Sequence, residues 1–409
     1  MIPKLKEYKE RWGIRSDDTI KPGLEAIEKA LVKLGNPEKE LKVIHVTGTN
    51  GKGSTIAFME SILKEHGYTT GVFSSPAIID IHDQIRIDGE PITVEELNVS
   101  FEMMKEAGLS DMLTDFELLT VAAFVTFERI GPDYVLLETG MGGLLDSTNV
   151  VIPLVSVITS IALDHSSFLG STVEKVTEHK AGIIKEGTPI VTGPLSEEAL
   201  QIVRRIAVEK GSLLLSYGDQ FVMEIGEREL FKGQQDFILD VRKMKGPHQG
   251  VNAALAIEAL LFAGVALSEK SVAKGVANTQ LAHRFQEISP GVFIDGAHNP
   301  AAAKALTETI MIEFPGEKVD FIIGMLKGKE IKKTLDELIP VAASFTFLSF
   351  DHPNAATGES LMKNCDHKNK SVTKLVDNTI ILSKEHERRI IVTGSLYLLA
   401  SLKYLPIDG

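Results

Sequence analysis

Three glycines and a lysine separate two apolar runs in the stretch Val43-Ile44-His45-Val46-Thr47-Gly48-Thr49-Asn50-Gly51-Lys52-Gly53-Ser54-Thr55. Glycine loses more backbone entropy on folding than any other residue, so such a cluster after a strand implies that something must approach the main chain closely. The strand is expected to end near Thr47 and the next helix to begin near Ser54. That arrangement lets the N–H groups of Gly48, Thr49, Asn50, Gly51, Lys52 and Gly53, with the positive helix end, face one anion. Lys52 adds a mobile cation, and the Ser54 hydroxyl a contact to phosphate or metal. The fit to G-x-x-x-x-G-K-[ST] is imperfect, because Val46 stands five before Gly51 and Gly53 intervenes between Lys52 and Ser54. A glycine-rich strand-to-helix turn is the plainer alternative, but strand, glycines, lysine, hydroxyl and helix in this order favour nucleotide binding.

Carboxylates stand at the expected ends of two further strands. Tyr134-Val135-Leu136-Leu137-Glu138 reads as a buried strand followed by Gly140, Gly142 and Gly143, and ligands of open parallel sheets bind outside such ends, where Glu138 could serve Mg2+. Taken alone, a strand-end glutamate is more often a helix cap or a surface charge. The following strand ends in Asp164-His165, and a lone histidine there is usually a hydrogen-bonded structural residue. Lys180 falls mid-helix in Glu178-His179-Lys180-Ala181-Gly182, which by itself reads as a solvated cation. Further on, Phe293-Ile294-Asp295-Gly296-Ala297-His298-Asn299-Pro300 supplies an N-cap and a first-turn proline, so Asp295, Gly296 and His298 line a turn of the anion-binding kind. Thr393-Gly394-Ser395 repeats that geometry before the last helix; both can equally be ordinary turns of an α/β fold. Cys365-Asp366-His367 lacks a partner pair and is not read as a metal site.

These residues need a scaffold that alternates strand and helix. Strand-like runs at 42–47, 134–138, 154–160 and 190–192 alternate with helical patterns at 54–66 and 172–184, which argues for a parallel sheet covered by helices. Thr93 with Glu96 and Ser171 with Glu174 have capping-box spacing. Residues 213–239 turn strand-like and irregular before a helix from Asn252 to Phe262. A second alternation begins after the turn residues Ser289-Pro290-Gly291 and runs to the C-terminus. The expected fold is α/β: a P-loop mononucleotide-binding domain with a parallel-rich sheet over 1–282, and a smaller Rossmann-like α/β domain over 283–409.

The 409 residues are 44% hydrophobic, enough for two or three cores. Asp and Glu outnumber Lys and Arg 56 to 43, a formal charge of −13, which argues against a nucleic-acid partner. A single cysteine, Cys365, excludes an internal disulfide and suits a reducing compartment. The N-terminus MIPKLKEYKERWGI lacks a signal-peptide pattern, and charges or prolines break every long apolar run, so a cytoplasmic protein with no membrane partner is expected.

As a set, the motifs resemble the folylpolyglutamate synthase and dihydrofolate synthase branch of the Mur ligases. The resemblance rests on GTNGKGS, Ser74-Ser75-Pro76, Phe116-Glu117-Leu118-Leu119-Thr120, ETGMGG with Asp146-Ser147-Thr148-Asn149, LDH, HKAGIIK, His248-Gln249 with Asn252, Arg284-Phe285, DGAHNP and VTGSLYL. His165 follows Glu138 by 27 positions and Lys180 follows His165 by 15, as in the family pattern. The resemblance implies two Mg2+ sites held by Glu138, His165, Ser75 and a carbamylated Lys180. It also implies adenine facing Asn252, phosphates facing Arg284, and Asp295 and His298 at the reaction centre. Ser395 would lie near incoming L-glutamate, and Phe116 and Asp146 would contact the pterin. ATP would activate the carboxylate of a folate or pteroate acceptor as an acyl phosphate, which the glutamate amine attacks, in a site that closure by Arg284 and His298 keeps dry. A monomer is implied.

Three positions depart from the family pattern. Ala77 stands where the motif SPHL has histidine, Gln84 where ERI has arginine, and Leu144 where GGRLDATN has arginine. Losing a cation opposite a carboxylate removes about 1.5–3 kcal/mol. The same chemistry on a non-folate carboxylate, and a non-catalytic nucleotide-binding regulator, are therefore carried as alternatives.

Overall fold

A computed structural model describes every residue except 1, 20, 78, 79, 165, 227, 375–378, 383–386 and 407–409. The chain forms two compact units, Met1–Arg242 with Gly250–Thr279, and Lys243–Gln249 with Gln280–Gly409.

The first unit is built on eight strands, β1 (Val43–Thr47), β2 (Thr70–Phe73), β3 (Ile85–Ile87), β4 (Glu90–Pro91), β5 (Tyr134–Glu138), β6 (Val155–Ile158), β7 (Ile190–Thr192) and β8 (Leu214–Ser216). Their order is β4-β3-β2-β5-β1-β6-β7-β8. Pairing is parallel from β2 to β8 and antiparallel only at β2–β3 and β3–β4. Every residue of β1, β2, β5 and β6 is buried, as expected for strands covered on both faces. The chain leaves β1 toward β2 on one side and crosses from β5 to β6 on the other. The carboxyl end of β1 thus lies at the switch point of the sheet, where such folds place ligands.

The helix Asp115–Ile130 is buried almost all round and packs Leu119, Ala123 and Phe127 into the main core with Phe73 and Leu137. A Cβ at Gly71 of β2 would come within 2.8 Å of the Phe127 ring, so this strand needs a residue without one. Thr93–Glu96 is a full capping box, and so is Thr114–Glu117, which fixes the start of this helix. The box expected at Ser171–Glu174 does not form: the N-cap falls one residue later, at Thr172, which accepts from the N–H of Lys175. The irregular stretch resolves into an antiparallel three-stranded sheet, β9 (Val222–Ile225), β10 (Glu229–Lys232) and β11 (Phe237–Leu239), next to the helix Pro247–Phe262. Arg242 donates from Nε and Nη2 to both oxygens of Glu229 at 2.6 Å, tying β10 to the segment before that helix.

The second unit carries β12 (Gln286–Ser289), β13 (Val292–Ile294), β14 (Val319–Ile323), β15 (Ala342–Ser349), β16 (Lys370–Lys374), β17 (Thr379–Leu382), β18 (Ile390–Thr393) and β19 (Lys403–Pro406). Six of them form one sheet, β12-β13-β18-β14-β15-β16, parallel except at β12–β13, while β17 and β19 pair separately. Both large sheets are parallel-rich with helical crossovers, the α/β class expected from the alternation of patterns. Among the described residues, no helix is long and apolar enough to cross a membrane.

Glu258 is the odd residue of the helix Pro247–Phe262, a carboxyl only 1% exposed whose Oε2 has no hydrogen-bond partner among the described residues. Burial raises it to about 7 from an ordinary 4.5. A carboxyl that holds its proton better folded than unfolded weakens the fold as pH climbs from 4.5 toward 7, because ionisation then favours the unfolded chain. Glu258→Gln should therefore raise the urea midpoint relative to the parent at pH 8 and leave it unchanged near pH 4.5. Urea melts at the two pH values check this; a difference of equal size at both would remove the titration as its cause.

Candidate active site

The loop after β1 is held from the side by the end of β6. Thr49 donates its N–H to the Ser160 carbonyl at 2.9 Å, and Asn50 donates its N–H to Ser160 Oγ at 2.9 Å, so these two donors, expected to face an anion, are instead spent on the brace. Thr159 Oγ1 donates to the Asn50 carbonyl at 2.6 Å, and Thr49 Oγ1 to that of Ala162 at 3.0 Å. A Cβ at Gly48 would lie 1.9 Å from Thr159 Oγ1, so this residue must be glycine for the brace to close. The helix Lys52–Glu65 starts two residues earlier than expected. Gly51, at φ 90°, takes the N-cap position and no side chain caps the first turn. Its first N–H groups, including those of Gly53 and Ser54, have no acceptor one turn back, and the helix dipole adds partial positive charge there. Asn252 lies against the loop: a Cβ at Gly51 would be 2.5 Å from Asn252 Oδ1.

Lys52 folds back over this loop, donating from Nζ to the Gly48 carbonyl at 3.1 Å, 3.8 Å from Glu138 Oε1. Glu138 is 5% exposed at the end of β5. Ser75 follows β2, the neighbouring strand, so both lie at the same edge of the sheet. His165 lies outside the described residues, while Asp164 beside it faces Lys180 closely enough to act on its charge. Lys180 is 3% exposed and not the solvated cation that its place in a helix suggests. Burial lowers its amine to about 7, the Lys52 charge adds to this, and Asp164 and Asp146 oppose it. An amine with a sizeable neutral fraction near pH 7 is a nucleophile, which a surface lysine is not.

The loop after β5 locks onto the helix of Lys180. Leu144 donates its N–H to the His179 carbonyl at 2.7 Å, and Asn149 Nδ2 donates to the carbonyls of Leu144 and Gly182 at 3.0 and 3.1 Å. Side chains are excluded at both contacts: a Cβ would meet the His179 carbonyl at 2.7 Å from Gly143, and the Leu144 side chain at 2.4 Å from Gly182. Asp146 accepts from the N–H of Met141 at 2.7 Å and from Thr148 Oγ1 at 2.6 Å, so its carboxylate holds its own loop. The Phe116 ring covers Gly140, where a Cβ would come within 2.5 Å. Leu144 and Leu145 form part of the wall of a groove of about 1340 Å3, with Lys9, Asp17, Lys21 and Thr114. The groove's cations are already paired, Lys9 with Asp115 at 2.8 Å and Lys21 with Asp17 at 2.6 Å. Of the other two departures, Ala77 is buried, and Gln84 Nε2 donates to the Ser74 carbonyl at 3.2 Å.

In the second unit, Arg284 stands between His283 at φ 63° and Phe285 at φ 44°, both in the left-handed region that non-glycine residues avoid. Asp295 holds this conformation by accepting the N–H of Phe285 at Oδ2 and that of Ala297 at Oδ1, each at 2.9 Å. Burial raises its carboxyl, against the Arg284 charge and the two N–H donors. His298 Nδ1 is 2.9 Å from the Gly296 carbonyl, and Asn299 caps the helix Pro300–Glu313 by accepting from the N–H of Ala302. Ser395 is buried ahead of the helix Leu396–Ser401. Cys365 is buried and Asp366 pairs with Lys332 at 2.6 Å. Among the described residues, no three His, Cys, Asp or Glu side chains cluster as a metal site.

The brace from Thr159 and Ser160 escaped the reading of the sequence, although an ITS tripeptide closing a strand was a usable sign. His45 and Thr47, which reach across to the loop after β5, were hidden inside an apolar run.

Two family models match, the Mur ligase middle domain over residues 46–260 and the dihydrofolate synthetase C-terminal domain over residues 279–405. A dihydrofolate synthase/folylpolyglutamate synthase from Bacillus subtilis (strain 168) is 37% identical over 407 residues, covering 94% of this chain and 95% of its own. The structure of E. coli FolC in complex with DHPP and ADP is 32% identical with a TM-score of 0.87, covering 97% of this chain and 96% of that one. A bifunctional folylpolyglutamate synthase/dihydrofolate synthase with Mn, AMPPNP and L-glutamate bound is 29% identical with a TM-score of 0.81, covering 94% of each chain.

Gly51→Ala places a methyl group both in left-handed backbone and against Asn252, which costs about 1–2 kcal/mol of local strain. Titration calorimetry should show ADP affinity reduced about tenfold or more; parent-like affinity would mean that the loop does not need this backbone shape.

Proposed function

The chain belongs to the folylpolyglutamate synthase and dihydrofolate synthase family of Mur ligases, and on that premise we propose that it is an ATP-dependent ligase joining L-glutamate to a dihydropteroate or folate carboxylate. The observation that carries this reading is the uncapped helix start at Gly51, with Lys52 and Glu138 beside it and Lys180 buried nearby. The family's nucleotide and divalent-metal use fits these residues, since Glu138 and the Ser75 hydroxyl are hard oxygen donors at one sheet edge. When bound, Mg2+ would neutralise charge between the triphosphate and the attacking carboxylate.

The acceptor's carboxylate oxygen attacks the γ-phosphorus, the bond to ADP breaks, and an acyl phosphate forms. While the main-chain N–H groups of Thr49 and Asn50 are engaged by Ser160, those of Gly51, Lys52 and Gly53, with the Lys52 amine and the Ser54 hydroxyl, hold the phosphates. Their charge is needed because carboxylate and triphosphate repel one another. The glutamate amine then attacks the acyl carbonyl, loses a proton, and expels phosphate from the tetrahedral intermediate. Asn252 is assigned to adenine, and Arg284 to the phosphates. His298 and Asp295 are assigned to the reaction centre, with Asp295 acting through the backbone it fixes. Ser395 is assigned to the incoming glutamate. Phe116 offers a platform to the acceptor's ring, and Asp146 shapes the loop beneath it.

Two Mg2+ ions are proposed, held by Ser75, Glu138, His165 and a carbamate on Lys180. The carbamate forms when the neutral amine adds to CO2 and releases a proton, so a cation becomes an anion. The depressed amine supports this step, because only the unprotonated form adds. A non-folate acceptor and a non-catalytic regulator are not favoured, since relatives matched over more than nine-tenths of this chain are named as folate ligases.

ADP release by the purified protein with ATP, Mg2+ and glutamate should appear only when a pteroate or folate acceptor is added. Release with none of them would end the proposal. Lys180→Ala should lose most of this turnover, and turnover like the parent's would exclude the carbamate. Arg284→Ala should lower kcat at least tenfold; unchanged kinetics would remove Arg284 from the reaction.

A further inference from the structure

His45 and Thr47 alternate along β1, so their side chains leave the same face of the strand. That face meets the loop after β5 at two points. Thr47 Oγ1 donates to the Gly142 carbonyl at 2.5 Å and accepts from Thr139 Oγ1 at 3.0 Å. His45 Nε2 lies 2.8 Å from Thr148 Oγ1, which lies 2.6 Å from Asp146 Oδ1.

Proton counting sets the direction of this chain. Asp146 also accepts main-chain N–H groups, at Oδ1 from Thr148 at 3.1 Å and at Oδ2 from Met141 at 2.7 Å; burial raises its carboxyl, and these donors oppose that and leave both oxygens as acceptors. The single hydroxyl proton of Thr148 therefore points at Asp146, and its oxygen accepts from His45. The imidazole carries its proton on Nε2, and Nδ1 is buried with no hydrogen-bond partner among the described residues. Burial, aided by the Lys185 charge, lowers the ring to about 3, so it stays neutral. His45 and Thr148 are both 0% exposed, where a hydrogen bond to a charged group is worth more than in water.

We infer that His45 is a positioning residue for the acceptor, fixing through Thr148 and Asp146 the loop from Gly140 to Thr148 onto the strand that also ends in the phosphate loop. The inference rests on the reading above that this loop and Phe116 receive the acceptor.

The test measures kcat and the KM values for acceptor and ATP in three variants. His45→Phe keeps a ring and removes the donor, Thr148→Val keeps the shape and removes the hydroxyl, and His45→Gln retains an N–H. The first two should each raise the acceptor KM about tenfold and leave the ATP KM within about twofold. Combining them should do no more than the worse single change, because both break one chain. His45→Gln should recover most of the loss. An unchanged acceptor KM, an equal rise in both KM values, or a His45→Gln as poor as His45→Phe would each overturn the inference. If His45→Phe fails to fold, Thr148→Val decides by the same acceptor KM. Phe116→Ala separates the two claims: if it too leaves the acceptor KM unchanged, the acceptor site itself is misplaced; if it alone raises it, only the relay fails.

Discussion

A triphosphate can be held by main-chain N–H groups only if the loop that offers them has no side chains in the way and does not move. Both conditions meet at the end of β1. Gly48 and Gly51 remove the side chains, and the end of β6 removes the freedom through the hydroxyls of Thr159 and Ser160. The burial of every residue of β1 between β5 and β6 then makes the loop an extension of the core. Charge collects there for the same reason. Lys52 stands beside Glu138, and its charge adds to burial in lowering the Lys180 amine, an effect larger here than at a surface.

Opposite signs meet in the second unit with a different result. There a carboxylate spends both oxygens on backbone N–H groups, and what it secures is a pair of left-handed residues flanking Arg284. Strained backbone persists where its surroundings over-determine it. The stack of Phe285 on Phe293, with ring centroids 5.0 Å apart, supplies the apolar half of that constraint.

Strand-and-helix alternation made the fold legible, because buried parallel strands are continuous apolar runs and the helices between them carry capping boxes such as Thr93–Glu96. Local chemistry made the strand-to-helix glycine turn after β1 legible, since glycines, lysine and hydroxyl are contiguous there. Lys180 was not legible from its own neighbours: a lysine in a helix says nothing about burial, which here comes from Gly143 and Gly182 letting a distant loop close over it. Nor was the shift of one N-cap from Ser171 to Thr172, since two adjacent hydroxyl residues satisfy the same pattern and only the turn geometry chooses. His45 remained hidden because a polar residue inside an apolar strand has its partner 103 positions away.

Leu144 has a consequence for how related enzymes diverge. Its backbone is pinned by His179 and Asn149, but its side chain is 46% exposed on the groove wall and takes no part in those bonds. Exchanges there change what the wall offers a ligand and leave the scaffold intact, whereas exchanges at Gly143 one residue earlier do not have that freedom. Variation in this groove is thereby channelled to its wall, where a side chain can be exchanged without disturbing the loop behind it.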